Sequence, residues 1–596
     1  MKARRSLLLT IGLSAAVAVA LIPFSACSSY KSGIVIQLIN APATLTINQT
    51  VSLTASVVND STNAGVDWSC GGSGGCGTFN PAHTDSGGTT VYTAPASPGT
   101  VTITASATAS SGVKATATIS IVPIGSNAML NGRYVFSVGG ADSNGSYTAT
   151  GTIVADGAGN ITGGEQDYTD ESIQAGPDGV TGSYSIGPDG RGSVTLNVSN
   201  TNLPHNGVET FSIAVTSTTH ALVIQFDGTA TSSGSLDFQA ASAVDPNAIS
   251  GAFAFTAQGV DTGNHLPFCL GGVLMMSASS GSIVSGTYFD NDGGTTFTSS
   301  LAGSVTAPDA FGRGTLAFSV GVHFAYYAVQ GQVLRLVGKD LPSFMTGGSM
   351  YGQGTAGTSA TFSSTSLTGN YVLFEAGGSV FGPLALAGQF TADGGGNVTA
   401  GAVDTNDSGT ATFAPIAGQA VYTIAGDGTG TLTLPASVDT QGSVSSLLIF
   451  AVDPAINLID PNSAGGGGGA LVMDYDANAV GSGLIAPQTT APFEGNYAVN
   501  LQFVGSGGEN DWVGQSMAAT GALTGTVDIN DFGATSAGVS LTGTYTADAT
   551  YLGRWTGNFT VNSTVHLISY YQVSETLFII VDTDAADVGI GIMEKE

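Results

Sequence analysis

Leu130-Asn131-Gly132-Arg133-Tyr134-Val135-Phe136 decides the fold, because the same pattern comes back three times. It returns as Ile249-Ser250-Gly251-Ala252-Phe253-Ala254-Phe255, as Leu367-Thr368-Gly369-Asn370-Tyr371-Val372-Leu373, and as Phe493-Glu494-Gly495-Asn496-Tyr497-Ala498-Val499. The shared glycines at 132, 251, 369 and 495 are spaced by 119, 118 and 126 residues. A period that long means tandem domains, since solenoid units run about 20–50 residues.

Further landmarks keep their order inside the copies. Ala155-Asp156-Gly157-Ala158-Gly159-Asn160 matches Ala392-Asp393-Gly394-Gly395-Gly396-Asn397, and Asp167 and Asp404 follow at equal distances. Later come Asp189-Gly190-Arg191-Gly192, Phe311-Gly312-Arg313-Gly314, Asp427-Gly428-Thr429-Gly430 and Leu552-Gly553-Arg554. Near each end sits a hydrophobic run: Ala221 to Phe226, Val333 to Val337, Leu471 to Tyr475, and Leu577 to Val581.

One copy divides into about eight strands, starting in the first near Arg133, Tyr147, Asn160, Gly179, Gly192, Glu209, Ala221 and Thr231. Asp-Gly and Gly-Asn supply the positive φ that tight hairpins need. Successive hairpins make an antiparallel meander, and eight strands can close on themselves and remove their edges. The predicted fold class is all-β: four tandem meander domains, each an eight-stranded barrel, with a two-sheet sandwich as the alternative. In layout the repeats resemble the small barrels of the lipocalin and avidin type, a likeness of architecture with no diagnostic motif. The aromatics of the opening strands, such as Tyr134 and Phe136, belong in a core or line a ligand cavity.

Ahead of the repeats, residues 34 to about 122 hold about seven alternating strands. They include Val51-Ser52-Leu53-Thr54-Ala55-Ser56-Val57, Val66-Asp67-Trp68-Ser69 and Val101-Thr102-Ile103-Thr104-Ala105, as an immunoglobulin-like sandwich requires. Gly77-Thr78-Phe79-Asn80-Pro81, Tyr92-Thr93-Ala94-Pro95 and Gly99-Thr100-Val101 also resemble the bacterial Ig-like family. That resemblance implies a spacer or adhesion module with Trp68 as its core aromatic.

The chain begins with Lys2, Arg4 and Arg5, an apolar run from Leu7 to Ile22, and Phe24-Ser25-Ala26-Cys27, the layout of an export signal. The last four residues resemble a bacterial lipobox, although Phe24 stands where that family usually has Leu. The resemblance implies cleavage before Cys27, a lipid on its sulfur, and tethering of the remainder to a membrane in the cell envelope. Ser28 after the cysteine, by resemblance to the sorting rule of two-membrane bacteria, implies the outer membrane or cell surface. The domain layout is a signal peptide over 1–26, a tether over 27–33, an Ig-like domain over 34–124, and β-repeats over 128–240, 247–354, 365–485 and 491–596.

Only 9% of residues are charged, yet 42% are hydrophobic, too many for a disordered polar tract. Three of the 12 basic residues fall in the signal, so nine face 42 acidic ones, about −33 by side-chain count. Such a surface lacks the basic footprint that nucleic acid requires.

Candidate chemistry is sparse. Cys70 and Cys76 flank a glycine-rich loop and pair as a disulfide in an oxidising compartment, leaving Cys269 as a buried thiol. The six histidines share no metal-ligand or triad spacing, and no metal or other cofactor is implied. The Asp-Gly-x-Gly-Asn turns, Asp290-Asn291-Asp292-Gly293-Gly294 and Asp474-Tyr475-Asp476 offer oxygens to calcium but lack a full calcium-loop spacing, so they read as turns. Glu165 with Asp167, and Asp582 with Asp584, are i, i+2 carboxylate pairs of the type a glycosidase needs. Gly71-Gly72-Ser73-Gly74-Gly75 matches an esterase elbow only in letters, and Gly465 to Gly469 lacks the Lys-Ser/Thr of a phosphate loop.

The resulting expectation is a non-catalytic, lipid-anchored array at the cell surface, meeting extracellular polysaccharide or protein through repeated weak sites, or building the envelope. The alternatives are a carrier holding a small apolar ligand in each barrel and, last, a carbohydrate-active enzyme.

Overall fold

The computed structural model describes residues 33–596 apart from 40, 43, 48, 73, 74, 96, 123, 124, 359 and 360. The expected signal segment and the expected lipidation position, Cys27, lie outside the described residues. Every regular element among the described residues is a β-strand or one of four short 3-10 turns.

The first unit is a two-sheet sandwich. One sheet orders Val35–Ile39, Thr50–Val58, Thr89–Thr93 and Thr78–Asn80; the other orders Thr44–Thr46, Ser110–Val122, Gly99–Ala107, Val66–Gly72 and His83–Thr84. Leu53, Trp68, Tyr92 and Ile103 fill the space between them. The Trp68 indole N–H donates to Thr84 Oγ1 at 3.1 Å, which satisfies its one buried donor. Cys70 and Cys76 are disulfide-bonded, closing the glycine loop.

The first and fourth repeats are closed eight-stranded barrels. In the first, Asn131–Asp142 pairs on one side with Gly145–Asp156 and on the other with Ala230–Phe238, so no edge remains. In the fourth, Gly495–Gly505 pairs with Gly508–Ala519 and with Asp587–Lys595. The hairpins close as their turn chemistry demands. Asp156 Oδ1 accepts the N–H groups of Ala158 and Asn160 at 2.8 and 2.9 Å, and Asp393 does the same for Gly395 and Asn397.

The middle repeats depart from the expected closed barrel at their fourth strand. In the second, that strand splits into Thr295–Ser300 and Gly303–Val305, and the ring closes because Ser282–Asp292 pairs with both pieces and with Leu266–Ser277. In the third it splits into Thr410–Pro415 and Val421–Ile424, which end the sheet on either side of the gap. Pro415 has no N–H to continue the ladder. Single bonds cross the gap instead, Ile416 N–H to Gly401 O at 3.0 Å and Tyr422 N–H to Gly396 O at 2.8 Å.

All ladders among the described residues stay within one repeat, yet the repeats are not separate beads. Each packs side by side on the next, and the fourth packs back on the first. The hydrophobic runs noted above explain this. His220–Gln225, Val333–Gly338, Ala470–Asp474 and Leu577–Asp582 are buried at every position, so both faces of these strands are covered. Their inner faces fill the barrels. Their outer faces join an inter-barrel core that includes Tyr327, Phe450, Met473, Tyr571 and Ile579, and a smaller one with Leu222, Ile224, Ala498 and Val513 between repeats one and four. The result is a ring of four barrels. The four repeats therefore form one consolidated body.

Candidate functional site at the ring centre

Three of the four ring interfaces share an acid–base clamp. Asp167 of repeat one takes Arg313 of repeat two through Nε at 2.5 Å and Nη2 at 3.1 Å, with Lys339 Nζ at 2.5 Å and the Tyr327 hydroxyl at 2.8 Å. Asp404 of repeat three takes Arg554 of repeat four at 2.8 and 2.9 Å, with the Tyr571 hydroxyl at 2.6 Å. Asp528 of repeat four takes Arg191 of repeat one at 3.1 Å and the Ser212 hydroxyl at 2.5 Å, which closes the ring. Head-to-tail contacts of one kind close when their rotation completes a circle.

The remaining interface, between repeats two and three, replaces the whole clamp. Register places Phe289 where the other donor strands carry Asp, and Thr429 paired with Phe450 where Arg554 pairs with Tyr571. Phe289 packs on Phe450 and Tyr475 with ring centroids 5.8 and 5.9 Å apart. Cys269 is buried beside this contact as a free thiol, and burial pushes it well above its ordinary range.

A second recurring device is an asparagine clamp two residues after the acid position. Asn291, Asn406 and Asn530 each donate Nδ2 to backbone carbonyls of the following repeat, and each accepts the N–H of the glycine three residues on. A third is glutamine after the last strand. Gln239 Nε2 donates to Phe311 O and Ala328 O, Gln353 Nε2 to Asp427 O and Ala451 O, and Gln488 Nε2 to Gln572 O, always in the next repeat. In the fourth repeat Glu596 holds this place, and burial and Asp189 push its carboxyl up to about 7.

On the ring axis the first and last strands of the four barrels face one another around a cavity of ≈ 520 Å³. Its wall includes Gly139, Ser233, Gly259, Gly348, Gly377 and Gln502, with contributions from all four repeats. Glycine is obligatory here because paired backbones lie too close for a side chain. A Cβ at Gly259 would sit 1.9 Å from Met345 O, and one at Gly377 2.2 Å from Val480 O. A neighbouring cavity of ≈ 320 Å³ is lined by His220, Arg335, Asn500 and Ile459 among others.

At that end the third repeat extends a long loop, 453–469, across the ring. Tyr351 OH donates to Leu458 O at 2.8 Å, Gln330 Nε2 to Pro461 O at 3.1 Å, and Asn462 Nδ2 to Thr219 O at 3.3 Å, so the loop touches repeats two and one. The glycine run 465–469 is its return leg, held by Gly468 N–H to Ile456 O and Val452 N–H to Gly469 O. Beneath it, four repeats meet in one charged cluster. His220 Nδ1 lies 2.8 Å from Asp237 and Nε2 lies 3.2 Å from Glu594, while Arg335 Nη2 lies 2.7 Å from the other Asp237 oxygen. Burial opposes the charge on Asp237, but Arg335 and His220 outweigh it and hold the carboxyl at about 2. Burial likewise opposes charge on His220, and Glu594 and Asp237 outweigh it, so the imidazole sits well above its ordinary value. Asp460, from the loop, is pushed up to about 6 by burial against the pull of His220.

This arrangement is poor for catalysis and good for cohesion. A general base needs a ring nitrogen free to take a proton, and both His220 nitrogens face carboxylates. Arg335 already occupies the place a cation would take on Asp237. The carboxylate pairs named from sequence also fall at contacts. Asp167 is consumed in the first clamp, while Glu165 is pushed up to about 8 by burial and Asp309. Asp582 and Asp584 gather with His566 at one mouth of the fourth barrel. Asp474 pairs with Glu375, and burial pushes Glu375 up to about 7 and Asp474 well above its ordinary range. Glu509 and Asp511 form a similar pair, with Asp511 up to about 7. Inside the first barrel Phe136, Phe211 and Leu236 leave only ≈ 20 Å³, room for one water. The central cluster went unseen in sequence because its members are up to hundreds of residues apart.

No family model matches the chain, and no curated protein matches it. Likeness to solved structures is slight. A mutant transferrin-binding protein B from Haemophilus parasuis Hp5 aligns at 9% identity over 78% of this chain and 96% of its own, with a TM-score of 0.19. Kievitone hydratase from Nectria haematococca aligns at 10% identity over 60% and 95%, with a TM-score of 0.16. Transferrin-binding protein B from serogroup B Neisseria meningitidis aligns at 8% identity over 63% and 84%, with a TM-score of 0.17. At these scores the likenesses carry no argument about the function of this chain.

Proposed function

We propose that the chain is a lipid-anchored surface protein that presents a consolidated four-barrel ring to an extracellular protein or polysaccharide, without chemistry of its own. The observation that carries this reading is the saturation of the titratable groups that converge at the ring centre and in the clamps. The charged side chains at the ring centre and in the clamps are spent on one another, across repeats, where a hydrolase would leave a base and an acid facing open space. The filled interior of the first barrel supports presentation over carriage of an apolar ligand.

In this reading Cys27 takes the lipid, the Ig-like module stands nearest the membrane, and the ring stands beyond it. Odd-numbered turns of each meander share one end of the ring. Exposed apolar side chains sit there, Val380 and Phe381 in repeat three and Phe532 in repeat four, at 64%, 55% and 48% exposure. Isolated exposed apolar residues are common; three on turns of adjacent barrels are the contacts to test. A glycan array and a secreted-protein array probed with the full chain give saturable binding in this account. Binding falls at least about tenfold when Val380, Phe381 and Phe532 are changed together to Ser, a loss of about 1.4 kcal/mol. Equal binding by the triple variant refutes that surface. Palmitate labelling that survives Cys27→Ser refutes the anchor.

A further inference from the structure

The mouth of the fourth barrel holds a group of side chains that neither ring cohesion nor surface presentation uses. His566 sits near the start of the strand Thr564–Ser574, Asp582 ends the strand Leu577–Asp582, Asp584 lies in the turn, and Asp587 opens the last strand Asp587–Lys595. His566 Nδ1 lies 3.4 Å from Asp582 Oδ2, 3.6 Å from Asp584 Oδ2 and 3.6 Å from Asp587 Oδ2.

We propose that His566, Asp582 and Asp584, whose ligand atoms lie within 4.8 Å of one another, form a binding site for a divalent transition-metal ion of the Zn²⁺ class, with Asp587 at its rim. Four ligands around such an ion at about 2.0–2.2 Å stand about 3.3–3.6 Å from one another when tetrahedral. The separations of Nδ1 from Asp582 and Asp584, 3.4 and 3.6 Å, match that spacing and are long for hydrogen bonds. His566 is 5% exposed and Asp582 is fully buried, and His566 Nδ1 and Asp582 Oδ2 are buried polar atoms without a hydrogen-bond partner. These two buried atoms face each other at 3.4 Å without a hydrogen bond, and a cation beside them would satisfy both.

The surroundings fix the ligands. Asp582 Oδ1 accepts the Asp584 N–H at 2.7 Å, and Asp584 Oδ1 accepts the N–H groups of Ala586 and Asp587 at 2.8 and 3.1 Å, which leaves the Oδ2 atoms toward His566. The imidazole is stacked on Phe503 and edged by Trp512, with centroids 5.2 and 5.0 Å away. Asn406 of repeat three donates to the backbone carbonyls of Asp582, Asp584 and Asp587 at 3.1, 2.9 and 2.9 Å. An ion held by Asp582 and Asp584 therefore also steadies the loop on which repeat three closes. Asp584 and Asp587 keep 13% and 26% of their side-chain surface, giving a path from solvent.

The other repeats show that His566 and Asp587 are dispensable for the fold, whereas Asp584 has an Asp counterpart in each, at Asp227, Asp340 and Asp476. By register, His566 corresponds to Glu209, Val322 and Ser445, and Asp587 to Ala230, Phe344 and Ala479. The asparagine clamp works at the equivalent loops of repeats one and three without a histidine. Calcium fits less well, since it takes six to eight oxygens at about 2.3–2.6 Å, whereas imidazole favours transition ions.

The test uses the full chain, stripped with chelator, dialysed, and titrated with ZnCl₂ and separately with CaCl₂ by calorimetry, with bound zinc counted by elemental analysis. One zinc per chain is expected, with affinity about 100-fold weaker in His566→Ala and about tenfold weaker in Asp587→Ala. Asp587→Ala copies a residue that repeats one and three already carry, so its fold is secure, and circular dichroism verifies it. Absence of zinc binding, zinc binding unchanged in both variants, or calcium binding that outlasts His566→Ala each overturns the site.

Discussion

Asp404→Ala isolates one clamp of the ring. The change deletes two bonds from the Arg554 guanidinium and the acceptor of the Tyr571 hydroxyl, in a setting where Arg554 and Asp404 are 8% and 4% exposed. Arg554 keeps Asp548 at 2.8 Å and the face of Phe413 at 4.2 Å, so it is not wholly abandoned. Breaking a buried pair from one side costs about 3–5 kcal/mol, and the surviving contacts place this case at the lower end. The informative comparison is the triple variant Asp404→Phe, Arg554→Thr, Tyr571→Phe, which copies Phe289, Thr429 and Phe450 from the interface between repeats two and three. Replacing a buried ion pair by packed apolar groups is often neutral or better. Denaturant unfolding followed by tryptophan emission, to which Trp512 and Trp555 of repeat four contribute beside Trp68 of the first unit, should show a loss of about 3 kcal/mol for the single change. The triple should recover most of it. A triple variant as unstable as Asp404→Ala refutes the claim that the two chemistries serve one structural role.

Two further outcomes concern the buried acids. Glu375 and Asp511 are fully buried with carboxyls pushed up to about 7, so the folded chain holds protons that the unfolded chain releases near pH 4–5. Their stabilising share is whole below that range and is lost as pH rises toward 7, by about 1.4 kcal/mol per pH unit for each group. Thermal unfolding should therefore show a higher midpoint at pH 5 than at pH 8, and Glu375→Gln should flatten the slope; a midpoint that rises from pH 5 to pH 8 contradicts this. Glu596→Gln restores the amide that Gln239, Gln353 and Gln488 provide elsewhere. It should stabilise the chain at pH 8 by about 1 kcal/mol, one neutral hydrogen bond, and leave pH 5 nearly unchanged.

The meander was legible because its signals are local. Asp156-Gly157 and Asp393-Gly394 announce hairpins, and strand starts read near Asn160, Glu209 and Ala221 fall within a residue of the observed Asn160, Val208 and His220. The break at Pro415 could have been read from its missing donor. The ring was harder, since Asp404 and Arg554 are 150 residues apart and each resembles any surface polar residue. One signal did point to it. Runs such as Leu577-Phe578-Ile579-Ile580-Val581 do not alternate, and an antiparallel strand that is apolar on both faces needs a partner outside its own barrel. The repeated Asp404-Thr405-Asn406-Asp407 and Asp528-Ile529-Asn530-Asp531 carried the rest, because an acid and an asparagine fixed relative to a turn serve the same contact twice. His566 could not be placed among three aspartates, since its nearest ligand is 16 residues away on the neighbouring strand.

Ring closure is the claim on which the rest stands, and the turns at Gly228 and Gly533 test it. They touch across repeats one and four, where a Cβ at Gly533 would lie 3.2 Å from Gly228 O. Dipolar electron resonance between nitroxides at Gly228→Cys and Ala534→Cys, in a Cys269→Ser background, should give one narrow peak at the short end of the measurable range. A broad distribution, or a peak at several tens of ångströms as in a string of barrels, contradicts the ring.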